Sequence, residues 1–240
     1  MLSHSGGGAS VLLRKPRSYG EVYNDLDGEI VRMARDRGKE LKLALELTPF
    51  SREEFLGSYE TADDCLEQAR RTILRSYQGF GSASVCGAAT GFRSNSNRSG
   101  TTPAHDWANF PDRLPSLIER LRGIVLENKD AAEVMAQHDS ADTLHYVDPP
   151  YVHDTRSNGN KYCNKGYRYE LDDGQHRSLA EFLSSLHGAV IVSGYRCDLY
   201  DGIFHGWRRI DRKAHADGAR DRVESLWASP RTRLPQEVLL

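Results

Sequence analysis

The stretch Thr143-Leu144-His145-Tyr146-Val147-Asp148-Pro149-Pro150-Tyr151 decides how this chain is read. Thr143–Val147 has the β-branched and aromatic content of a strand, and the prolines just beyond it end regular structure. Strands of open α/β sheets present ligands at their carboxyl ends, so Asp148-Pro149-Pro150-Tyr151 stands where a site is expected. A carboxylate or amide, two prolines and an aromatic in succession arise by chance in roughly one such chain in a hundred, taking proline at about 5% of residues. A proline-rich turn with an aspartate cap is the plain alternative, and it leaves the coincidence of strand, acid and aromatic unexplained.

Those residue types suit one chemistry. An aromatic exocyclic amine is a poor nucleophile because its lone pair is delocalised into the ring. The Asp148 carboxylate and the Pro149 carbonyl can both accept hydrogen bonds from such an amine. The bonds favour a tetrahedral nitrogen whose lone pair points at a methyl donor. Proline fixes φ and carries no N–H, so these acceptors stay rigid and uncontested. Tyr151 offers a ring face on which an extruded base can stack.

Outward from the motif the chain alternates strand and helix. Ala189-Val190-Ile191-Val192-Ser193 reads as a buried strand, preceded by a helix marked by Leu179, Phe182, Leu183 and Leu186 and closed by Gly188. Ile124–Glu127 reads as a strand before a short helix starting near Asp130. Tyr19–Asn24 reads as a strand running into a turn. Trp207–Asp211 and Val223–Trp227 flank a polar turn as an antiparallel pair. A helix spans Glu29 to about Leu47, interrupted at Gly38 and stopped before Pro49. Two capping boxes follow, Ser51 with Glu54 and Thr61 with Asp64, and the second helix places Leu66, Ala69, Ile73 and Tyr77 on one face. Gly79–Pro103 is a long loop rich in Gly, Ser, Asn and Thr, before a helical pattern over Pro111–Arg122. Such alternation implies an α/β sheet with a loop-rich insertion.

Composition excludes more than it selects. The 240 residues are 38% hydrophobic and 28% charged with a net charge of -2, enough for one domain or one domain with a sizeable insertion. That total neither supports nor excludes a nucleic acid, but basic clusters at Arg93–Arg98 and Lys161–Arg168 leave room for a local footprint. No apolar run approaches the roughly 20 residues of a membrane helix, so no membrane partner is expected. Cys65, Cys86, Cys163 and Cys197 never form C-x-x-C and no secretory signal is seen, which reads as a cytoplasmic protein with reduced thiols. The nine histidines show no metal-ligand spacing, and no metal is expected.

On these residues the sequence resembles the adenine-specific DNA methyltransferases with the Asp-Pro-Pro-Tyr signature, which include stand-alone bacterial and phage enzymes and members of restriction-modification systems. The resemblance implies a Rossmann-like α/β sheet, S-adenosylmethionine as methyl donor, double-stranded DNA as partner and a monomer. Gly6-Gly7-Gly8-Ala9-Ser10-Val11-Leu12-Leu13 looks like the family's glycine-rich cofactor loop, with contacts from Gly6, Gly7, Gly8, Ala9 and Ser10. Glu21-Val22-Tyr23-Asn24-Asp25-Leu26-Asp27 looks like its second motif, in which Asp25 would accept hydrogen bonds from the ribose hydroxyls. Asn128-Lys129-Asp130 looks like the third, with Asp130 on the cofactor adenine. Asp148 would face both cofactor and target amine, with Pro149, Pro150 and Tyr151 completing the catalytic motif.

The resemblance also implies a catalytic domain over 1–47 and 123–240 and a helical and loop DNA-recognition insertion over 48–122. Within it Arg93, Asn95, Asn97 and Arg98 suit base-edge and phosphate contacts. Lys161, Lys165 and Arg168, interleaved with Tyr162, Tyr167 and Tyr169, suit phosphates beside a flipped base. Ser193-Gly194-Tyr195 is placed to line the base pocket.

One feature departs from the family. Only Met1-Leu2-Ser3-His4-Ser5 precede the glycines, and His4-Ser5 stands where Pro-Phe is usual. A glycine loop needs a strand leading into it, and five residues read as too few. The chain therefore reads as truncated at its N-terminus, lacking the helix and strand that the family carries upstream, with a gap in the sheet and weak cofactor binding expected. Three functions stay open: a working adenine methyltransferase, a DNA-binding remnant without cofactor, and the same chemistry on cytosine, an RNA base or protein glutamine. Aspartate at 148 favours adenine within the family pattern, and the long insertion favours DNA.

Overall fold

A computed structural model describes residues 2–5, 9–26, 29–80, 90–94, 101–155, 170–216 and 220–233. The chain opens with strand β1 (Leu2–Ser5), a short helix α1 (Ser10–Arg14) and strand β2 (Val22–Asn24), which is buried throughout. Helix α2 (Glu29–Glu46) follows, then α3 (Arg52–Gly57) and α4 (Cys65–Gln78). Next come α5 (Pro103–Asn109), a 3-10 turn at Pro111–Arg113 and α6 (Leu114–Leu121). The remainder runs β3 (Val125–Glu127), α7 (Ala131–Gln137), β4 (Leu144–Asp148), α8 (Asp173–Ser185), β5 (Ala189–Tyr195) and α9 (Asp198–Ile203). A hairpin of β6 (Arg208–Ala216) and β7 (Arg220–Ala228) ends it, each strand longer than its apolar pattern suggests.

Two compact units result. One takes the described residues of Met1–Asp27, Ile124–Asn158 and Tyr169–Leu240, and the other takes those of Gly28–Gly123.

The first unit is built on a seven-stranded sheet in the order β3-β2-β1-β4-β5-β7-β6. β1 to β5 are parallel along that order, whereas β7 is antiparallel to both of its neighbours. The core joins Val134 and Met135 of α7, Ala180 and Leu183 of α8, and Val147, Val190 and Val192 of the strands. Trp227 of β7 closes it, edge-on to Tyr200 of α9 with ring centroids 5.0 Å apart.

The expectation that the first five residues are too few for a strand is overturned. Leu2–Ser5 form β1, paired with β2 on one side (Leu2 opposite Val22) and with β4 on the other (Ser5 opposite Asp148). A central strand finds backbone partners on both sides, so a four-residue segment is held by two ladders. The expected gap in the sheet is filled.

The second unit is helical. The interruption expected at Gly38 is a kink: α2 continues through it, with Arg37 alone non-helical at φ −130°, ψ 32°. Gly38 is needed for packing, since a Cβ there would overlap the Ile118 side chain of α6. Ser51 caps α3 as expected, accepting from the Glu54 N–H at 3.1 Å. The second capping box is corrected: α4 is capped by Asp64, which accepts from the Glu67 N–H at 3.1 Å, and Thr61 lies outside the helix. Two cap-forming residues stood close together, and the carboxylate nearer the apolar run took the role. Helix α5, with Thr102 as cap and Pro103 in its first turn, places Trp107 where its Nε1–H donates to the Thr48 carbonyl at 2.7 Å.

Candidate active site

Because β1 to β5 are parallel, their carboxyl ends share one edge. Register aligns that edge closely: Ser5 lies opposite Asp148, His4 opposite Asn24, Asn24 opposite Glu127, and Val147 opposite Val192. The residues that leave these strands, Asp25, Asn128, Asp148–Tyr151 and Ser193–Tyr195, are thereby gathered from distant parts of the sequence. The strand order turns back between β1 and β4: the chain builds β2 and β3 to one side of β1, and β4 and β5 to the other. Loops diverge at such a reversal and leave a crevice at the strand ends.

The Asp148-Pro149-Pro150-Tyr151 motif is anchored at both sides. Val147 before it and Val152 after it belong to the core, and Pro149 is buried. The Thr155 hydroxyl donates to the Val152 carbonyl at 2.6 Å and closes the turn beyond. The Ser193 hydroxyl, on β5, donates to Oδ1 of Asp148 at 2.7 Å and lies 3.3 Å from the Val147 carbonyl. Burial pushes the Asp148 carboxyl above its ordinary pKa. The Ser193 bond pulls it back, the Glu224 charge pushes it up again, and hydrogen bonding to Tyr151 lowers it. The Tyr151 ring meets Tyr195 edge to face, with centroids 4.7 Å apart and planes at 76°. On the other face of β5, a Cβ at Gly194 would come within 2.9 Å of the Tyr200 ring, so that wall requires glycine.

The cofactor candidates stand on neighbouring strands. Asp25 follows β2, and its Oδ2 accepts from the Tyr23 hydroxyl at 2.8 Å. Asp130 caps α7, its Oδ1 accepting from the N–H groups of Ala132 at 2.8 Å and Glu133 at 3.3 Å. The plain helix-cap role is therefore real, alongside whatever else it contacts. Ala9 is buried in left-handed conformation (φ 57°, ψ 26°) at the start of α1, and Ser10 is the first residue of that helix. The oxygen-rich donor set at this edge suits a nucleoside's hydroxyls. Gly6, Gly7 and Gly8 lie outside the described residues.

Two residues at this edge have contacts that the sequence did not indicate. Asn24 is buried, and its side-chain amide pairs with the backbone of Lys129 in both directions, Nδ2 to the carbonyl and N–H to Oδ1, each at 3.0 Å. It ties the end of β2 to the turn after β3. Its signal was a polar residue closing an otherwise apolar strand. Ser193, expected to line the base pocket, is the other; its bond to Asp148 joins positions 45 residues apart and had no local signal.

Arg93 belongs to the second unit. Its backbone N–H donates to the Gln78 carbonyl at 2.8 Å, and its guanidinium donates to the Tyr77 carbonyl at 3.3 Å, tying it to the end of α4. Asn95, Asn97, Arg98, Lys161, Lys165 and Arg168 lie outside the described residues. Among the described residues no cluster of three His, Cys, Asp or Glu could hold a metal ion, and no helix is long and apolar enough to cross a membrane.

Over residues 6–216 the sequence matches the family described as D12 class N6 adenine-specific DNA methyltransferase. No curated protein matches the chain.

Proposed function

The chain belongs to the D12 class of N6 adenine-specific DNA methyltransferases, and from that premise we propose that its active site is the sheet edge where β1 and β4 part. The family's reaction is transfer of a methyl group from S-adenosylmethionine to the exocyclic N6 amine of adenine in DNA. The observation that carries the assignment is Asp148: a partly desolvated carboxylate at the carboxyl end of β4, held by Ser193 and followed by an aromatic ring.

In this reading the sheet is Rossmann-like and the donor lies across the ends of β1, β2 and β3. Gly6, Gly7, Gly8, Ala9 and Ser10 form its loop, Asp25 takes the ribose hydroxyls, and Asp130 takes the adenine. The bound donor presents an electrophilic methyl on a sulfonium. Asp148 and the Pro149 carbonyl accept hydrogen bonds from the target N6, so that its lone pair is released from the ring and aimed at that methyl. Pro150 keeps the turn rigid and Tyr151 stacks on the flipped base. The bound donor would supply the methyl group, and Asp148 or water would take the proton that the target nitrogen sheds.

The DNA interface is proposed to draw on Arg93, Asn95, Asn97 and Arg98 of a recognition insertion over 48–122, and on Lys161, Lys165 and Arg168 of a catalytic domain over 1–47 and 123–240. The partner is double-stranded DNA, met by a monomer in the cytoplasm. The alternative, a DNA-binding remnant without cofactor, follows from an absent N-terminal strand and helix; of these a strand, β1, is present.

The test uses unmethylated plasmid DNA and labelled S-adenosylmethionine, with digestion of the product to nucleosides. Label should appear in N6-methyladenine, and calorimetric titration should register binding of the donor. Label in another base, or no donor binding, would refute the assignment.

A further inference from the structure

Ser193 and Tyr195 are two positions apart on β5, and side chains at that spacing leave a strand on the same face. The opposite face, with Val190, Val192 and Gly194, packs into the core against Tyr200 and Trp227. The face carrying Ser193 and Tyr195 meets the catalytic motif at two points. Ser193 is buried and donates to Oδ1 of Asp148 at 2.7 Å. Tyr195 forms a T-shaped pair with Tyr151, centroids 4.7 Å apart. One face of β5 thus contacts both the acid and the ring of the motif.

We propose that Ser193 and Tyr195 are positioning residues for methyl transfer: Ser193 orients the Asp148 carboxylate toward the target amine, and Tyr195 sets the plane of the Tyr151 ring. This rests on the active-site assignment above. A carboxylate on a single-bonded stem rotates about χ2, and the Ser193 bond selects one rotamer. A donor to the charged form also keeps the acid ionised, and only the carboxylate accepts from an amine at both oxygens. A T-shaped contact fixes the angle between the two rings without laying one flat on the other.

Steady-state kinetics on unmethylated plasmid DNA separate these roles. Ser193→Ala should lower kcat about ten- to hundredfold, the range for a lost hydrogen bond to a charged group, with both KM values little changed. The acidic limb of its kcat–pH profile should move to higher pH by about one unit, because the carboxylate loses its main ionising partner. Ser193→Thr, which keeps the hydroxyl, should recover most of the rate and return the limb. Tyr195→Ala should raise KM for DNA about three- to tenfold, and Tyr195→Phe should restore it. An unmoved acidic limb in Ser193→Ala, or a loss that merely follows a lower Tm, overturns the role of Ser193. An unchanged KM in Tyr195→Ala overturns that of Tyr195. Asp148→Ala run beside them keeps the two levels apart: full turnover there defeats the active-site assignment itself, whereas silence in Ser193→Ala alone defeats only this proposal.

Discussion

Strand β4 has an aspartate near each end, and the two are treated oppositely. Asp139, in the turn before the strand, is nearly enclosed and surrounded by donors. The backbone N–H groups of His187 and Gly188 reach it at 2.7 Å and 2.9 Å, the His187 ring at 2.9 Å and the His145 ring at 3.2 Å. Burial pushes its pKa up, but those bonds outweigh the burial and hold the carboxyl well below the usual carboxylate range. Asp148, at the far end, is also desolvated, has Ser193 as its main donor, and ends above its ordinary value. A carboxylate saturated with donors is a fastener. One that is desolvated and incompletely satisfied has capacity kept for a ligand.

The largest expected effect falls at the second aspartate. Asp148→Ala should lower methyl transfer by roughly a hundred- to thousandfold, the cost of one well-placed group acting in the transition state. Binding of DNA and donor should change little, because the interaction strengthens only as the nitrogen becomes tetrahedral. Turnover and equilibrium titration on the same preparation check this. If affinity and rate fall together, Asp148 acts in ground-state binding and the contrast weakens.

Asp139→Asn should show the reverse pattern. An amide presents N–H where donors already point, so chemical denaturation should show a loss of about 2–3 kcal/mol, with turnover of the folded enzyme nearly unchanged. A large activity loss without loss of stability would place Asp139 in the mechanism and break the comparison.

Acid should reveal the fastener in two stages. Burial lowers the His145 pKa in the fold despite its Asp139 partner, so the unfolded chain binds that proton first and stability declines as pH falls below about 6.5. The depressed Asp139 contributes stability that is full above its unfolded value, near 3.9, and is lost as pH falls below it. Melting curves from pH 7 to 3 should show both declines in the wild type. Asp139→Asn should lose the lower one.

The smallest effect sharpens the contrast. The raised Asp148 pKa means that its charged form is disfavoured by folding, so removing the charge should help. Asp148→Asn should raise Tm by about 2–4 °C, equivalent to roughly 1 kcal/mol in a chain of this size. A lower Tm would give Asp148 a structural role like that of Asp139.

How much of this was legible follows from how local each feature is. Strand β4, the helix capped by Asp130 and the apolar strand β5 lie close to their expected bounds, because periodicity and caps act over a few residues. The tetrapeptide was visible for the same reason. Strand β1 was not: four residues carry no periodicity, and only β2 and β4 on either side make them a strand. Asp64 took the cap expected of Thr61 because the choice depended on where the helix found packing, which local propensity does not encode. The Asp139 cluster joins positions 48 residues apart, and no local pattern announces it.

By itself the sequence determined the chemistry on offer: an acid, two rigid prolines and an aromatic ring after a strand, with further acids at strand ends. Covalent structure alone dictates these, since side-chain identity and the fixed φ of proline need no fold. Only the tertiary structure decided how each acid is surrounded, one enclosed by donors and the other desolvated at the strand's carboxyl end. That choice depends on dielectric surroundings and on donors from other strands. Asp139 and Asp148 are the same residue until β5 and the turn before it are folded against β4, one end bringing two backbone N–H groups and two imidazole rings and the other the Ser193 and Tyr151 hydroxyls.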